Sequence, residues 1–323
     1  MPLAVGIDLG GTNIRVALVT KQGIIVDRLR VSTRATGQNT NLIARISDTV
    51  NKLVNAHEDQ RHNIIGVGLG IPGTIEWNTG IITQSPNIPE WVDYPLMHQL
   101  SPLLTFPLTI ENDANAAALG ELTFGAARGL ENICCLTLGT GVGGGVIVNG
   151  KILHGTDGMA GEIGHMTVFP NGPVCNCGNQ GCLEALASAT AIKRMVMEFI
   201  ATTPNPGFDY RDMLSIARDE GNKSIAQLVA EAARTGDPCA IRIYRRVGSA
   251  LGITIASLVN IFNPEAVIIG GGVTGAWDLF VTDLKTEIKK RALKTPGNHV
   301  KVIKSTLEDN AGLLGAASLV FHG

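Results

Sequence analysis

Three short apolar runs open the chain, Leu3–Leu9, Ile14–Thr20 and Ile24–Ser32, each bounded by turn-forming residues. Gly10–Asn13 separates the first two and Lys21–Gly23 the second two, a pattern that predicts an antiparallel meander with tight turns. A helical spacing of apolar positions follows from about Asn39 to Ala56, and the continuous apolar run Ile64–Ile71 reads as a buried strand ending at Pro72-Gly73. Leu108–Glu111 predicts a short strand, and Asp113–Phe124 a helix with Asp113 at its cap or in its first turn. The opening layout then recurs, because Ile133–Leu138, the turn GTGVGGG and Val146–Val148 again run strand, glycine turn, strand. That recurrence predicts two related α/β domains facing a shared cleft, each offering it a glycine turn. Beyond it the pattern predicts a helix from about Leu183 to Ile200, a proline-rich loop at Thr202–Phe208, and a long helix over Pro238–Phe262. Asn263-Pro264 stops that helix, Ala266–Ile269 is a strand before Gly270–Gly272, and a strand near His299–Ile303 and a small-residue helix, Ala311–Phe321, close the chain.

Composition narrows what such a chain does. With 323 residues, 45% hydrophobic and only 17% charged, it has the length for two domains and the character of a globular protein. A net charge of −2 without any basic run argues against a nucleic-acid surface. No apolar stretch approaches the roughly 20 residues that span a bilayer, and no signal-peptide pattern opens the chain, so a cytoplasmic location without membrane attachment is expected. Six cysteines do not make a disulfide scaffold at this length. The 39 glycines are the compositional oddity; many follow apolar segments, where backbone must come close to something.

Candidate chemistry concentrates between Gly161 and Glu184. His165, Cys175, Cys177 and Cys182 fall within 18 residues, separated by nine, one and four residues. One imidazole and three thiolates suit tetrahedral Zn²⁺, and a closed set of four protein ligands is structural rather than catalytic. Glu162 and Glu184 bracket the cluster, polar groups of more use to a polyhydroxylated ligand than to a core. The remaining cysteines, Cys134, Cys135 and Cys239, read as packing. The histidines His57, His62, His98, His154, His299 and His322 have no partner pattern and read as solvated or core residues.

The glycine turns suggest phosphate. Asp8, Gly10, Gly11, Thr12 and Asn13 put an acid at a strand end, then two residues without Cβ, then two hydrogen-bonding side chains. Backbone N–H groups in such a turn approach phosphate oxygens closely, and Asp8 suits the water shell of a Mg²⁺. Gly139-Thr140-Gly141 and Gly271-Gly272 repeat the arrangement, one turn for each side of a triphosphate and one for the nucleoside. Neither a GxxxxGK[ST] nor an early GxGxxG pattern is present, which disfavours P-loop and dinucleotide sites. Asn112-Asp113, at a strand-to-helix junction, is either a general base with its orienting neighbour or a plain helix cap.

Together DLGGTN (8–13), ENDANAAALGE (111–121), LGTGVGGG (138–145), GEIGH (161–165) and CNCGNQGCLE (175–184) resemble the ROK family of bacterial sugar kinases and repressors over nearly the whole chain. The resemblance implies an actin-like ATPase fold of the sugar kinase/Hsp70 type, with two ribonuclease-H-like α/β domains around a cleft. The expected division is residues 1–120, completed by a C-terminal helix at 311–323, against 121–310 carrying the metal-binding segment 165–182. It implies ATP-dependent phosphorylation of an aldohexose at C6. The GEIGH context and three-cysteine cluster are most similar to the glucokinases, with N-acetylmannosamine and N-acetylglucosamine kinases as alternatives and a non-catalytic sugar-sensing regulator as the alternative of another class. It further implies Asp113 as catalytic base, and Asn112, Gly73, Glu162, His165 and Glu184 as sugar contacts, with His165 serving metal and sugar through different ring nitrogens. Asn87 is a weaker candidate. Gly10–Asn13 and Gly139–Gly141 match the family's phosphate turns and Gly270–Val273 its adenosine turn. A homodimer or homotetramer is expected. Only seven residues precede Asp8, too few for the DNA-binding domain of the family's repressors, which favours an enzyme.

Overall fold

The computed structural model describes residues 1–33, 41–203, 210, 213 and 223–322. The proline-rich loop expected at 202–208 lies from residue 204 onward outside them, as do residues 39–40 of the first expected helix. The chain divides into two compact units, Met1–Cys135 with Gly145–Gly161 and Ser305–Gly323, and Leu136–Gly144 with Glu162–Lys304.

In the first unit the expected meander forms as drawn. Strands β1 (Leu3–Leu9), β2 (Asn13–Thr20) and β3 (Ile25–Ser32) pair antiparallel, and β4 (Ile64–Ile71) and β8 (Leu108–Asn112) extend the sheet in parallel to the order β3-β2-β1-β4-β8. All seven residues of β1 are buried, because both faces of the sheet are covered. Side chains alternate across a strand, and the sequence uses the two faces differently. Leu3, Val5, Ile7 and Leu9 of β1 and Val67, Leu69 and Ile71 of β4 join a core with Ile43, Ile46, Val50 and Leu53 of helix α1 (Leu42–Ala56). Asn41 caps that helix through Ile43 and Ala44 N–H.

The opposite face is made of Ala4, Gly6, Gly66, Gly68 and Gly70. There the C-terminal helix α10 (Ala311–His322) lies against the sheet so closely that a Cβ on Gly6 or Gly68 would strike the carbonyl oxygen of Leu313 or Ala316. Helix α3 (Asp113–Thr123) packs on α10 by the same device, with Gly120 against Ala311 and Gly315 against Ala116. Many of the glycines therefore serve helix-on-sheet and helix-on-helix contact, a use that composition alone does not reveal. A further sheet of three short strands, β5 (Thr74–Glu76), β6 (Ile81–Gln84) and β7 (Val92–Tyr94), was not expected, since three or four residues carry too little alternation to read.

The second main sheet has the order β11-β10-β9-β12-β13, made of β9 (Ile133–Leu138), β10 (Val142–Val148), β11 (Lys151–Ile152), β12 (Ala266–Gly270) and β13 (Lys301–Lys304). It repeats the strand order of the first sheet, as the recurring layout implied. β10 starts at Val142, so much of the expected GTGVGGG turn is strand. The helix expected over 183–200 is two helices, α4 (Glu184–Ala187) and α5 (Ala189–Thr202), because Ser188 is extended (φ −78°, ψ 165°) and caps α5 through Ala191 N–H. Helix α6 (Ile225–Arg234) precedes the long helix α7, which spans Pro238–Phe262 as predicted, with Asp237 as its cap and Asn263 ending it in the left-handed region. Helix α8 (Trp277–Arg291) seats on α7 at Gly248 and Gly252, and His299 belongs to α9 (Lys294–His299) rather than to the last strand. Among the described residues no helix is long and apolar enough to cross a membrane.

Candidate active site and metal centre

At the β8–α3 junction the capping role falls to Asn112 and not to Asp113. Asn112 is the cap: its Oδ1 accepts from Ala114 N–H at 2.9 Å and Asn115 N–H at 3.1 Å. Asp113 stands in the first helical turn, half-buried, with Oδ1 accepting from Ala114 N–H at 2.8 Å. A carboxylate there lies at the positive end of the helix dipole, which favours negative charge. The capping role leaves Asn112 little freedom, since its amide also donates to the Gly73 carbonyl at 3.0 Å. Gly73 itself is dictated by backbone: φ is +123°, and a Cβ would lie 2.9 Å from Ser85 Cα.

Behind this junction lies a buried group that the sequence did not single out. Glu111, 8% exposed, accepts from Asn112 N–H at 2.8 Å and Asn115 Nδ2 at 3.0 Å on Oε1, and pairs with His154 Nε2 at 2.7 Å on Oε2. The hydrogen bond to Glu111 raises the His154 pKa above its ordinary value against the opposing effect of burial. The exposed Trp77 stacks on the His154 ring, with centroids 5.1 Å apart and planes within 10°. The expectation that His154 is an unpartnered solvated or core residue is therefore corrected. No local signal could have found a partner 43 residues away.

At the first glycine turn, Gly10 N–H donates to Asn13 carbonyl at 2.9 Å, while Gly11 and Thr12 are exposed. A Cβ on Gly11 would stand 3.2 Å from Asn87, so the weakly assigned Asn87 flanks this turn. Asp8 is buried and paired through Oδ2 with Arg15, whose Nε donates at 2.9 Å and whose Nη1 donates to Asp309 carbonyl at 2.7 Å. Both Arg15 contacts to Asp8 fall on Oδ2.

The four expected metal ligands come together. Their ligand atoms all lie within 4.8 Å of one another, with His165 Nδ1 and Cys175 Sγ 3.7 Å apart and Cys177 Sγ and Cys182 Sγ 3.7 Å apart. A tetrahedron with Zn–S of about 2.3 Å and Zn–N of about 2.0 Å has edges of roughly 3.5–3.8 Å, so the donor set fits this ion. All three cysteines are free thiols. Burial pushes the Cys175 thiol up to about 12 and Cys182 upward, whereas the backbone N–H of Asn179 lowers Cys177. His165 turns Nδ1 to the cluster, and its Nε2 lies 3.9 Å from Glu162 Oε2. The ring thus has one nitrogen for a metal and one for another partner.

Glu184, first residue of α4, touches more than expected. Oε2 accepts from Val142 N–H at 3.0 Å, and Oε1 lies 3.6 Å from Cys175 Sγ. The segment that follows fastens the second glycine turn as well, with Ala189 N–H on Gly139 carbonyl at 2.9 Å and Thr190 Oγ1 on Thr140 carbonyl at 2.7 Å. The metal-bearing stretch therefore runs directly into the residues that shape Gly139–Gly141. Gly271 has φ +87° and packs on the Leu138 backbone, while a Cβ on Gly139 or Gly272 would meet nothing within 4 Å. Those two positions leave backbone open to a ligand, as a phosphate or nucleoside cradle requires.

The chain is similar to known proteins along nearly its whole length. The family model described as ROK family matches residues 4–322. A glucokinase of Halalkalibacterium halodurans is 40% identical over 98% of this chain and 94% of its own length, and one of Thermotoga maritima is 40% identical over 98% and 96%. The crystal structure of a ROK family glucokinase from Streptomyces griseus, in complex with glucose and AMPPNP, superposes with a TM-score of 0.78 at 33% identity, covering 99% of this chain and 100% of that one. Matched along its length in sequence and in fold, the chain belongs to the ROK family.

Proposed function

We propose that the protein is an ATP-dependent kinase that transfers the γ-phosphoryl group of ATP to the C6 hydroxyl of D-glucose. The observation that carries this reading is Asp113, a half-buried carboxylate in the first turn of α3, in a chain 40% identical to glucokinases over 98% of its length. In the reaction Asp113 accepts the C6 hydroxyl proton as the O6–P bond forms and the bond from Pγ to the β–γ bridging oxygen breaks. The products are glucose 6-phosphate and ADP, and little else is asked of the protein beyond positioning and charge stabilisation.

The remaining assignments follow the same reading. Glu162, His165 through Nε2, Glu184 through Oε1, Asn112 through its second amide hydrogen and Gly73 serve as sugar contacts. Gly10–Asn13 and Gly139–Gly141 serve the phosphates, and Gly271-Gly272 the nucleoside. Mg²⁺ bound with ATP would neutralise charge developing on the phosphates, with Asp8 holding its water shell. Zn²⁺ held by His165, Cys175, Cys177 and Cys182 would fix the His165 tautomer and the path of 165–184.

The test is a coupled ADP-release assay with MgATP against glucose, N-acetylmannosamine, N-acetylglucosamine, mannose, allose and fructose. Glucose is expected to give the highest kcat/KM, and Asp113→Asn to lower kcat by about 10²–10⁴-fold while sugar binding stays measurable. Preference for an acetylated sugar overturns the substrate, and sugar binding without turnover overturns the enzyme in favour of a sensor.

A further inference from the structure

The β8–α3 junction holds a second carboxylate and an imidazole that the reaction above does not use. Glu111 is buried, and its Oε1 accepts from the residue before Asp113, through Asn112 N–H, and from the residue two beyond it, through Asn115 Nδ2. Asp113 is thus bracketed by one carboxylate oxygen. The other oxygen is held by His154, which arrives from the loop after β11 and is clamped under Trp77. Loop and hairpin are joined again where Gly158 packs on the Ile75 carbonyl, and the hairpin reaches the junction through Asn112 Nδ2 on Gly73.

Stability is a poor explanation for this knot. A buried ion pair roughly breaks even with apolar residues of the same volume, because desolvation of both charges offsets their attraction. Asn115 is 2% exposed, and committing its amide to Glu111 leaves its Oδ1 without a hydrogen-bond partner among the described residues. An orphaned buried acceptor is destabilising, because it loses its water without gaining a partner. An arrangement that gains little from its ion pair and bears an unpaired acceptor makes sense where orientation matters more than stability.

We propose that His154 is a positioning residue for the phosphoryl transfer, acting through Glu111 to hold the Asn112 backbone and the Asn115 side chain on either side of Asp113. The inference rests on the reading of Asp113 as the base. Misplacing a reacting group by 1 Å costs on the order of 100-fold in rate. His154→Ala is therefore expected to lower kcat by roughly 10–100-fold at a temperature well below its melting point, with KM for MgATP within about 2-fold of wild type. His154→Gln, which keeps an N–H donor for Glu111, is expected to recover most of the loss and guards against misfolding of the alanine variant.

The decisive measurement is a double-mutant cycle with Asp113→Asn. If His154 acts through Asp113, its removal in the Asp113→Asn background lowers the residual kcat by less than about 2-fold. An equal loss in both backgrounds, or an unchanged kcat in His154→Ala, overturns the proposal. A near wild-type kcat for Asp113→Asn alone would instead overturn the assignment of the base, so the two failures are distinct.

Discussion

Replacing Gly120 with alanine tests whether the seating of α3 on α10 governs both stability and catalysis. Gly120 faces α10 within the helix that begins at Asp113, and its Cβ would stand 2.5 Å from Ala311 carbonyl oxygen, 2.9 Å from Gly315 N and 3.1 Å from Gly315 Cα. Ordinary contacts begin near 3.4 Å, so the two helices must part by about 1 Å. All three obstacles are main-chain atoms of a buried helix, and none can rotate aside. Overpacking costs typically 1–3 kcal/mol, and this site belongs at the upper end. Alanine regains up to about 1 kcal/mol of helix propensity over glycine. The net loss is about 2 kcal/mol, a fall in Tm of roughly 4–8 °C for a unit of this size. The same displacement moves the first turn of α3, so kcat should fall by more than 10-fold at 25 °C while KM for MgATP is little changed. Thermal unfolding and steady-state kinetics on one preparation read both effects. An unchanged or raised Tm would refute the packing argument, and a lowered Tm with wild-type kcat would refute the link from helix seating to Asp113.

Other outcomes are expected from the same reasoning. Cys177→Ser should lose bound Zn²⁺ by elemental analysis and weaken glucose binding by calorimetry together, since the proposed function puts His165 in both ligand sets; metal loss with unchanged sugar affinity would separate them. His154 has a raised pKa in the folded protein, so its pairing with Glu111 stabilises fully below the unfolded value of about 6.5 and fades as pH rises through the folded value. The Tm gap between wild type and His154→Gln should accordingly be widest on the acid side of neutrality and narrow at alkaline pH; a gap that widens with pH would refute the charged pair. Gly271→Ala should destabilise by at least about 1–3 kcal/mol, because its φ is +87° and its Cβ would stand 2.6 Å from Leu138 N. Gly272→Ala should leave Tm unchanged and raise KM for ATP, and a stability loss there would contradict the open space around it.

What the sequence revealed, and what it hid, follows from how far each interaction reaches along the chain. The meander, β4, β9 and α7 were legible because each is a run whose period or caps are local. The metal cluster was legible because a fixed ligand spacing already constrains the loop. The Arg15–Asp8 pair was within reach, since a four-residue turn at 10–13 sets Leu9 opposite Ile14 and Asp8 opposite Arg15. The break at Ser188 carried the signal of a capping residue inside an apparent helix. By contrast, Glu111 meets His154 only through the tertiary fold, and the glycine face of the first sheet has no evident use until α10 is laid on it.

The glycines show how structure separates two functions that composition merges. At Gly6, Gly68, Gly164, Gly248, Gly252 and Gly315 an added Cβ would run into a main-chain carbonyl, so the fold itself demands the residue. Gly129, Gly150, Gly178 and Gly236 have open surroundings but positive φ, and turn geometry accounts for them. Gly139, Gly272 and Gly275 have neither a crowded Cβ position nor a positive φ to explain them. Substituting alanine there should strain nothing in the protein taken alone. Glycine at such a site is informative only about something that approaches from outside, and two of these three fall in the turns that family resemblance independently assigns to the nucleotide. The third, Gly275, gives its carbonyl to Arg234 Nη2 at 2.8 Å just beyond the Gly271-Gly272 turn. If those turns hold the nucleotide, Gly275 belongs to the same surface, and Gly275→Ala should raise KM for ATP without lowering Tm.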